Sequence, residues 1–164
     1  MAKNRPTDEP AGKKRIRPTP GGIAYVALLR AAERLKTYFE SIVAPFDITG
    51  QQYNVLRILR GAEPDGLPTL TIAERMIERA PGITRMIDRL EAKELVRRES
   101  CAEDRRCVYC RITEKGLQLL ELLDEPVDET NDGFYGLSEA ELAQLTALLE
   151  KVWQRFESTT GESK

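Results

Sequence analysis

Residues 69–112 change their hydrophobic periodicity abruptly, and this change constrains the fold more than any other feature of the chain. Apolar residues first recur at helical spacing, in a short segment that Thr69 can cap and in a second segment that begins at Pro81. About three residues separate the two predicted helices, which is the spacing of a helix-turn-helix. Alternating segments at 95–101 and 107–112 then flank a polar five-residue tip. This alternation predicts a β-hairpin.

Longer helical stripes lie on both sides of this region. Apolar residues predict a helix over about 23–43, and Thr49 with Gln52 has the form of a capping box at the start of another. Two more helices are predicted after the hairpin, one capped by Thr113 and one opened by a capping box at Ser138. A helix-turn-helix followed directly by a hairpin is a winged helix, which is too small to cover these long stripes. We therefore expect the stripes to be buried in a homodimer.

The predicted fold class is mainly α with a small β-hairpin wing. It consists of a winged helix-turn-helix domain plus N- and C-terminal dimerisation helices. We assign the winged helix-turn-helix domain to residues 49–113 and the helical dimerisation region to residues 21–48 and 114–160. Residues 1–20 hold four of the nine prolines together with six basic side chains, which predicts a flexible basic arm.

Composition excludes several functional classes. The chain has no histidine, so it lacks the commonest general base and the commonest metal ligand. It also has no glycine-rich phosphate loop and no G-x-S-x-G motif. We therefore expect no enzyme, no cofactor and no metal site. No apolar run is long enough to span a membrane, and the N-terminus does not resemble a secretory signal, which together predict a cytoplasmic protein.

The formal net charge of −2 conceals an uneven distribution. Residues 1–20 carry six basic and two acidic side chains, and residues 67–116 carry eleven basic and nine acidic ones. Residues 117–164 carry only three basic side chains against eleven acidic ones. Because charges are screened over about 10 Å, each part of the surface acts on its own partner. A nearly neutral chain can therefore still bind nucleic acid.

The hairpin region contains three motifs, which are Leu95-Val96-Arg97-Arg98, Asp104-Arg105-Arg106 and Ile112-Thr113-Glu114-Lys115-Gly116. Together with residues 72–75 and 83–90 of the helix-turn-helix, they resemble the MarR family of bacterial regulators (multiple antibiotic resistance regulators). The resemblance covers roughly residues 21–158. It implies a homodimer that binds pseudo-palindromic double-stranded DNA, usually as a repressor relieved by a small-molecule effector or an oxidant. It also implies that the second helix of the helix-turn-helix enters the major groove and that the wing reaches the minor groove.

Helical spacing identifies the residues that would contact DNA from the second helix of the helix-turn-helix. With the apolar residues turned inward, the predicted DNA-binding residues are Gly82, Thr84, Arg85 and Arg89. Arg85 and Arg89 are four residues apart and share a face, on which a guanidinium can read guanine edges. The alternative is that Arg85 and Arg89 form surface ion pairs with Asp88 or Glu91.

The wing offers a second set of arginines. Arg105 and Arg106 lie on the narrow tip, and Arg106 is the residue that we expect to enter the minor groove. Arg97, Arg98 or Arg105 would contact phosphates. The resemblance implies that Asp104 pairs with an arginine and fixes the tip.

All three cysteines fall in the hairpin. Cys107 and Cys110 are three residues apart on a strand and point to opposite faces, which argues against a zinc site. Cys101 lies roughly opposite Cys107, so a redox-active disulfide is a candidate, and the nearby arginines would favour the thiolate. The alternative is that the cysteines only suit the packing of a strand.

A ligand pocket could be lined by Tyr25, Tyr38, Tyr53 and Arg57, although aromatic residues at such positions often belong to the core. Glu94 departs from the family pattern, which has glycine at the end of the second helix. A left-handed glutamate costs about 1 kcal/mol, which predicts a different helix end here. The alternative function is a winged helix that serves as a protein–protein interaction module without specific DNA binding, with the acidic C-terminal third as its surface.

Overall fold

The computed structural model describes residues 18–78, 81–100, 108–132 and 136–160. Its helices are α1 (Pro20–Val43), α2 (Gly50–Arg60), α3 (Thr69–Arg75), α4 (Ile83–Ala92), α5 (Glu114–Asp132) and α6 (Glu139–Thr160). Its strands are β1 (Leu67–Pro68), β2 (Val96–Ser100) and β3 (Val108–Ile112). The mainly helical architecture with a small antiparallel sheet confirms the predicted fold class. Among the described residues, no helix has the length and apolar character that crossing a membrane requires.

The sheet has the strand order β1-β3-β2, with both pairs antiparallel. In the predicted hairpin, Val96 pairs with Ile112 and Ser100 with Val108. The third strand, β1, was not predicted, because a two-residue strand shows no alternation. It pairs Leu67 with Cys110 and so attaches the chain just before α3 to the wing.

The described residues divide into two compact units, of which the first ends at Tyr38 and the second begins at Phe39. The second unit contains one apolar core, to which α2, α3, α4, β2, β3 and α5 all contribute. Its largest fully buried side chains are Leu56, Leu59, Ile72, Ile87, Leu90, Leu120 and Leu123. Burying each of these side chains contributes roughly 1.5–3 kcal/mol, so this core holds the short helices in place.

The capping boxes predicted from sequence are present. The Thr49 hydroxyl accepts a hydrogen bond from the Gln52 backbone N–H at 3.2 Å, and the Gln52 side chain accepts one from the Thr49 N–H at 3.1 Å. Ser138 and Glu141 form the same arrangement before α6. The hydrogen bond from the Ser138 backbone holds the pKa of Glu141 below its ordinary value.

Two of the predicted helix starts are wrong. Thr69 is the first residue of α3 and not its cap, because Pro68 occupies the extended N-cap position. The Thr69 hydroxyl instead lies 3.5 Å from the sulfur of Cys110. Helix α4 begins at Ile83 and not at Pro81, since Gly82 has the non-helical backbone of an N-cap. The end of α3 at Arg75 and the start of α4 at Ile83 are therefore separated by more residues than the three predicted.

The expectation that Glu94 changes the end of α4 is also wrong. Glu94 adopts the left-handed conformation, with φ at 61°. Its N–H donates to the Glu91 carbonyl at 2.9 Å, and the Leu95 N–H donates to the Leu90 carbonyl at 3.0 Å, which together form a Schellman motif. Leu90 and Leu95 are both buried. The core thus requires the turn despite the missing glycine.

Gly116 in the first turn of α5 allows a close approach of two backbones. A Cβ atom there would lie 2.4 Å from the Leu95 carbonyl oxygen and 2.7 Å from Cγ1 of Ile112. The Gly116 N–H also donates to the Thr113 hydroxyl at 3.1 Å, as predicted for a helix cap. Thr113 and Gly116 therefore fix where α5 leaves the wing.

Candidate nucleic-acid interface

Helix α4 has one face in the core and one face in solvent. Ile87 and Leu90 are fully buried, whereas Thr84, Arg85 and Arg89 are exposed. Gly82 is also exposed, and a Cβ atom at that position would meet nothing within 4 Å. All four residues that were predicted to bind DNA from this helix are therefore accessible.

The carboxylates of α4 are directed towards the wing and not towards the helix's own arginines. Asp88 Oδ1 lies 2.7 Å from Nη2 of Arg98, and Glu91 Oε2 lies 2.5 Å from Nη1 of the same side chain. Within the described parts of the chain, neither Arg85 nor Arg89 takes part in an ion pair. Asp88 and Glu91 are thus occupied by Arg98, which differs from the surface ion pairs considered as the alternative.

Arg98 makes further contacts with α4. Its backbone N–H donates to Oε1 of Glu91 at 3.1 Å, and its Nη2 donates to the Thr84 carbonyl at 3.4 Å. The side chain is 24% exposed. Burial acts to lower the pKa of Arg98, but the hydrogen bonds to Asp88 and Glu91 outweigh it and raise the pKa above its ordinary value. Arg98, which is predicted to contact phosphates, links β2 to α4 in this structure.

The structure describes only some of the other residues predicted to function in the wing. Arg97 is 60% exposed and lies 3.0 Å from Oε1 of Glu99. The predictions for Asp104, Arg105 and Arg106, and for Cys101 and Cys107, fall outside the described residues. Cys110 is a free thiol that is fully buried in the core.

Two of the four residues proposed for a ligand pocket are in contact. The Tyr53 hydroxyl accepts a hydrogen bond from Nη1 of Arg57 at 2.9 Å, and the guanidinium carbon of Arg57 lies 5.8 Å from the centre of the Tyr53 ring. Phe39 meets the same ring edge-on at 5.1 Å. Tyr25 and Tyr38 are exposed on α1, and their spacing along the helix separates them by roughly 20 Å.

A groove of about 420 Å³ lies elsewhere, between the end of α4 and the start of α5. Its apolar lining includes Phe46 and Leu119, and its polar lining includes Asp47, Lys93 and Lys115. Lys93 Nζ lies 2.8 Å from Oδ2 of Asp47 and also donates to the Asp47 carbonyl. The sequence carries no signal for this groove, because its two halves are far apart in the chain.

One further ion pair joins α2 to α5. Nη1 and Nη2 of Arg60 donate to the two carboxylate oxygens of Asp124 at 2.8 and 2.9 Å. The hydrogen bond from Arg60 holds the pKa of Asp124 below its ordinary value, and the same bond raises the pKa of Arg60. The helix that carries Tyr53 and Arg57 is therefore tied to α5.

Comparison with known proteins gives consistent matches. A profile of the MarR family matches residues 48–108. The transcriptional regulator FarR of Neisseria gonorrhoeae is 36% identical over 107 residues, which are 65% of this chain and 72% of FarR. The homoprotocatechuate degradative operon repressor of Escherichia coli is 32% identical over 127 residues, which are 77% of this chain and 84% of the repressor.

A solved structure of a related protein bound to DNA has the same fold. The Staphylococcus aureus MepR–DNA complex matches with a TM-score of 0.73 and 29% identity, covering 80% of this chain and 97% of MepR. The short helix pair, the hairpin and the exposed arginines of α4 thus occur in a fold of which one example has been solved on DNA. The chain belongs to the MarR family of transcriptional regulators.

Proposed function

We propose that this protein is a cytoplasmic, homodimeric repressor that binds a pseudo-palindromic operator and has no catalytic role. The observation that carries the proposal is the solvent face of α4, where Arg85 and Arg89 are exposed while the nearby carboxylates are paired with Arg98. Two relatives add support. MepR has been solved in complex with DNA, and the Escherichia coli relative is named as an operon repressor.

Residues 49–113 would form the DNA-binding domain. Arg85 and Arg89 would read base edges in the major groove, while Gly82 and Thr84 at the start of α4 would approach the backbone. The exposed Arg97, with Arg105 and Arg106 of the wing, would contact phosphates and the minor groove. Because the winged helix is only mildly basic, a few placed arginines would carry most of the specificity.

Dimerisation is supported by apolar side chains that a monomer would leave in water. On α6, Val152, Trp153 and Phe156 are 48%, 61% and 66% exposed. Helix α1 exposes a second set, which consists of Ile23, Tyr25, Val26, Leu28 and Leu29. Apolar surfaces of this extent are typical of protein interfaces. A second copy of the chain would cover them, and two copies of α4 would meet half-sites about one helical turn apart.

Relief by a small-molecule effector would act through Tyr53 and Arg57. Tyr53 is buried in the apolar core, so the group presented to an effector is the exposed guanidinium of Arg57, which suits a small molecule with an anionic group. Arg60 connects the same helix, α2, to Asp124 of α5, so a ligand bound at Arg57 would act on both α2 and α5.

The test begins with duplexes that the wild-type protein selects from a random library. Binding is measured by fluorescence anisotropy over a salt series. Arg85→Ala should weaken operator binding by roughly 5- to 150-fold, because a bidentate base contact contributes about 1–3 kcal/mol. Arg34→Ala, which removes an exposed arginine of α1, is the matched control and should bind like the wild type. If no duplex shows salt-dependent binding, the alternative of a protein–protein interaction module is favoured.

A further inference from the structure

Arg98 occupies the junction between the wing and α4. It extends from β2 and contacts α4 at three residues: Thr84 through its carbonyl and Asp88 and Glu91 through their carboxylates. Both terminal nitrogens of the guanidinium are engaged in these contacts, and three quarters of the side chain is shielded from solvent. Arg98 is therefore built into the protein and is not displayed to a ligand.

The position of Asp88 explains why this contact matters. Asp88 is three residues from Arg85, so the two side chains are neighbours on one side of the helix. Arg89 and Glu91 are only one and three residues from Asp88, but neither is placed to neutralise it, because Arg89 projects to another side and Glu91 has the same charge. An unpaired Asp88 carboxylate, whose side chain is 55% exposed, would therefore have Arg85 as its neighbouring cation on α4.

We infer that Arg98 is a positioning residue for DNA recognition. By holding Asp88 and Glu91, it keeps Arg85 available for a base and fixes the wing against α4. This inference rests on the proposed DNA-binding function, and it replaces the expectation that Arg98 contacts a phosphate. Loss of Arg98 has two effects: Asp88 captures the Arg85 guanidinium, and the Glu91 carboxylate is left without its cation near the DNA backbone.

The two roles predict different coupling between Arg98 and Asp88. A phosphate contact by Arg98 is independent of Asp88, so the effects of the two substitutions multiply. A positioning role makes Asp88 harmful only when Arg98 is absent. The coupling can be measured with Arg98→Ala, Asp88→Asn and the double variant, on the selected operator and on a scrambled duplex of equal length.

Arg98→Ala should weaken operator binding at least 10-fold and binding to the scrambled duplex by a smaller factor. Asp88→Asn should then restore most of the operator affinity in the Arg98→Ala background. The same substitution should change affinity at least five times less in the wild type. Arg97→Ala is the matched control, because it removes the neighbouring positive charge, whose partner is Glu99 and not a residue of α4. Asp88→Asn should not rescue it.

A second variant covers the case in which Arg98→Ala fails to fold. Arg98→Lys keeps the charge but cannot hold two carboxylates through a fork of nitrogens. It should retain binding to the scrambled duplex and lose discrimination in favour of the operator, with circular dichroism confirming the fold. If Arg98→Lys discriminates like the wild type, the inference is overturned.

Other results would also decide the matter. One such result is that the effects of Asp88→Asn and Arg98→Ala multiply, while the affinity for both duplexes falls by the same factor and its salt dependence decreases. Arg98 then contacts a phosphate, and the inference fails while the proposed function stands. If the wild-type protein binds no duplex, the proposed function fails and the inference fails with it.

Discussion

Replacing Glu94 by glycine should stabilise the protein slightly, whereas a glycine substitution within the preceding helix should destabilise it. Glu94 is held at a φ of 61° by the Schellman motif at the end of α4. The left-handed conformation costs a residue with a side chain roughly 1–2 kcal/mol, and glycine is free of this cost. Three hydrogen bonds hold the turn: from the Glu94 N–H, from the Leu95 N–H, and from the Thr113 hydroxyl to the Glu94 carbonyl. All three involve the backbone of residues 94 and 95, so the substitution preserves them.

Two effects reduce the gain. Glycine has more conformational entropy in the unfolded chain, which offsets about 0.5–1 kcal/mol. The ion pair between Glu94 and Lys115 is lost, but its side chains are 80% and 59% exposed, so it contributes no more than about 0.5 kcal/mol. Glu94→Gly should therefore be slightly more stable than the wild type. The sharper comparison is with Glu94→Ala, which loses the same ion pair and keeps the strain.

We expect Glu94→Gly to exceed Glu94→Ala in stability by roughly 0.5–1 kcal/mol, which corresponds to about 1–4 °C in Tm for a chain of this size. The measurement is thermal unfolding followed by circular dichroism at one protein concentration, because dimerisation makes Tm depend on concentration. Ala92→Gly in the last turn of α4 is the control and should lower stability by about 1 kcal/mol. If Glu94→Ala melts above Glu94→Gly, the strain assigned to this turn is refuted.

Three further predictions concern the packing of α5 and α6. Gly116→Ala should cost roughly 1–3 kcal/mol in urea denaturation, because the added methyl group meets the Leu95 carbonyl, and an unchanged midpoint would contradict this contact. Asp124→Asn should cost about 1 kcal/mol at neutral pH. Because Arg60 lowers the pKa of folded Asp124, the stabilisation is complete above about pH 4 and is lost as the pH falls through the folded pKa. The free energies of unfolding of the wild type and the variant should therefore converge in acid. A constant difference between them down to about pH 2 would argue against the ion pair. Trp153→Asp should shift the sedimentation of the protein from dimer towards monomer, and an unaltered dimer would remove the exposed face of α6 from the interface.

Local features of the sequence were sufficient for much of the fold. The capping boxes at Thr49 and Ser138 involve residues three positions apart, so the chain displays them directly. The start of α4 was placed too early because Pro81 suits a first helical position, and nothing in the sequence shows that Gly82 stays outside the helix. Where a helix begins at such a position depends on the residues that pack around it, which local sequence does not show.

The candidate site was predictable in position but not in its pairing. Helical spacing placed Arg85 on the solvent face, and it lies there. It could not assign Asp88 and Glu91 to Arg98, because that choice depends on where the wing returns against α4. The contact of Lys93 with Asp47 joins residues 46 positions apart, and no periodicity reports such a pair. Ion pairs between elements follow from the fold and not from spacing.

The strand order β1-β3-β2 limits how a signal could reach the DNA. β1 joins the start of α3 to the wing through its pairing with β3, and Arg98 joins β2 to α4. The helix-turn-helix is therefore attached to the wing at two places. These two contacts oppose a change in the angle between α4 and the strands of the wing. In a homodimer, the distance between the two copies of α4 can still vary. Binding to DNA with half-sites about 34 Å apart requires this distance to match the spacing of the half-sites. Under the proposed function, an effector would weaken operator binding by changing the distance between the two copies of α4, while each winged helix keeps its own structure.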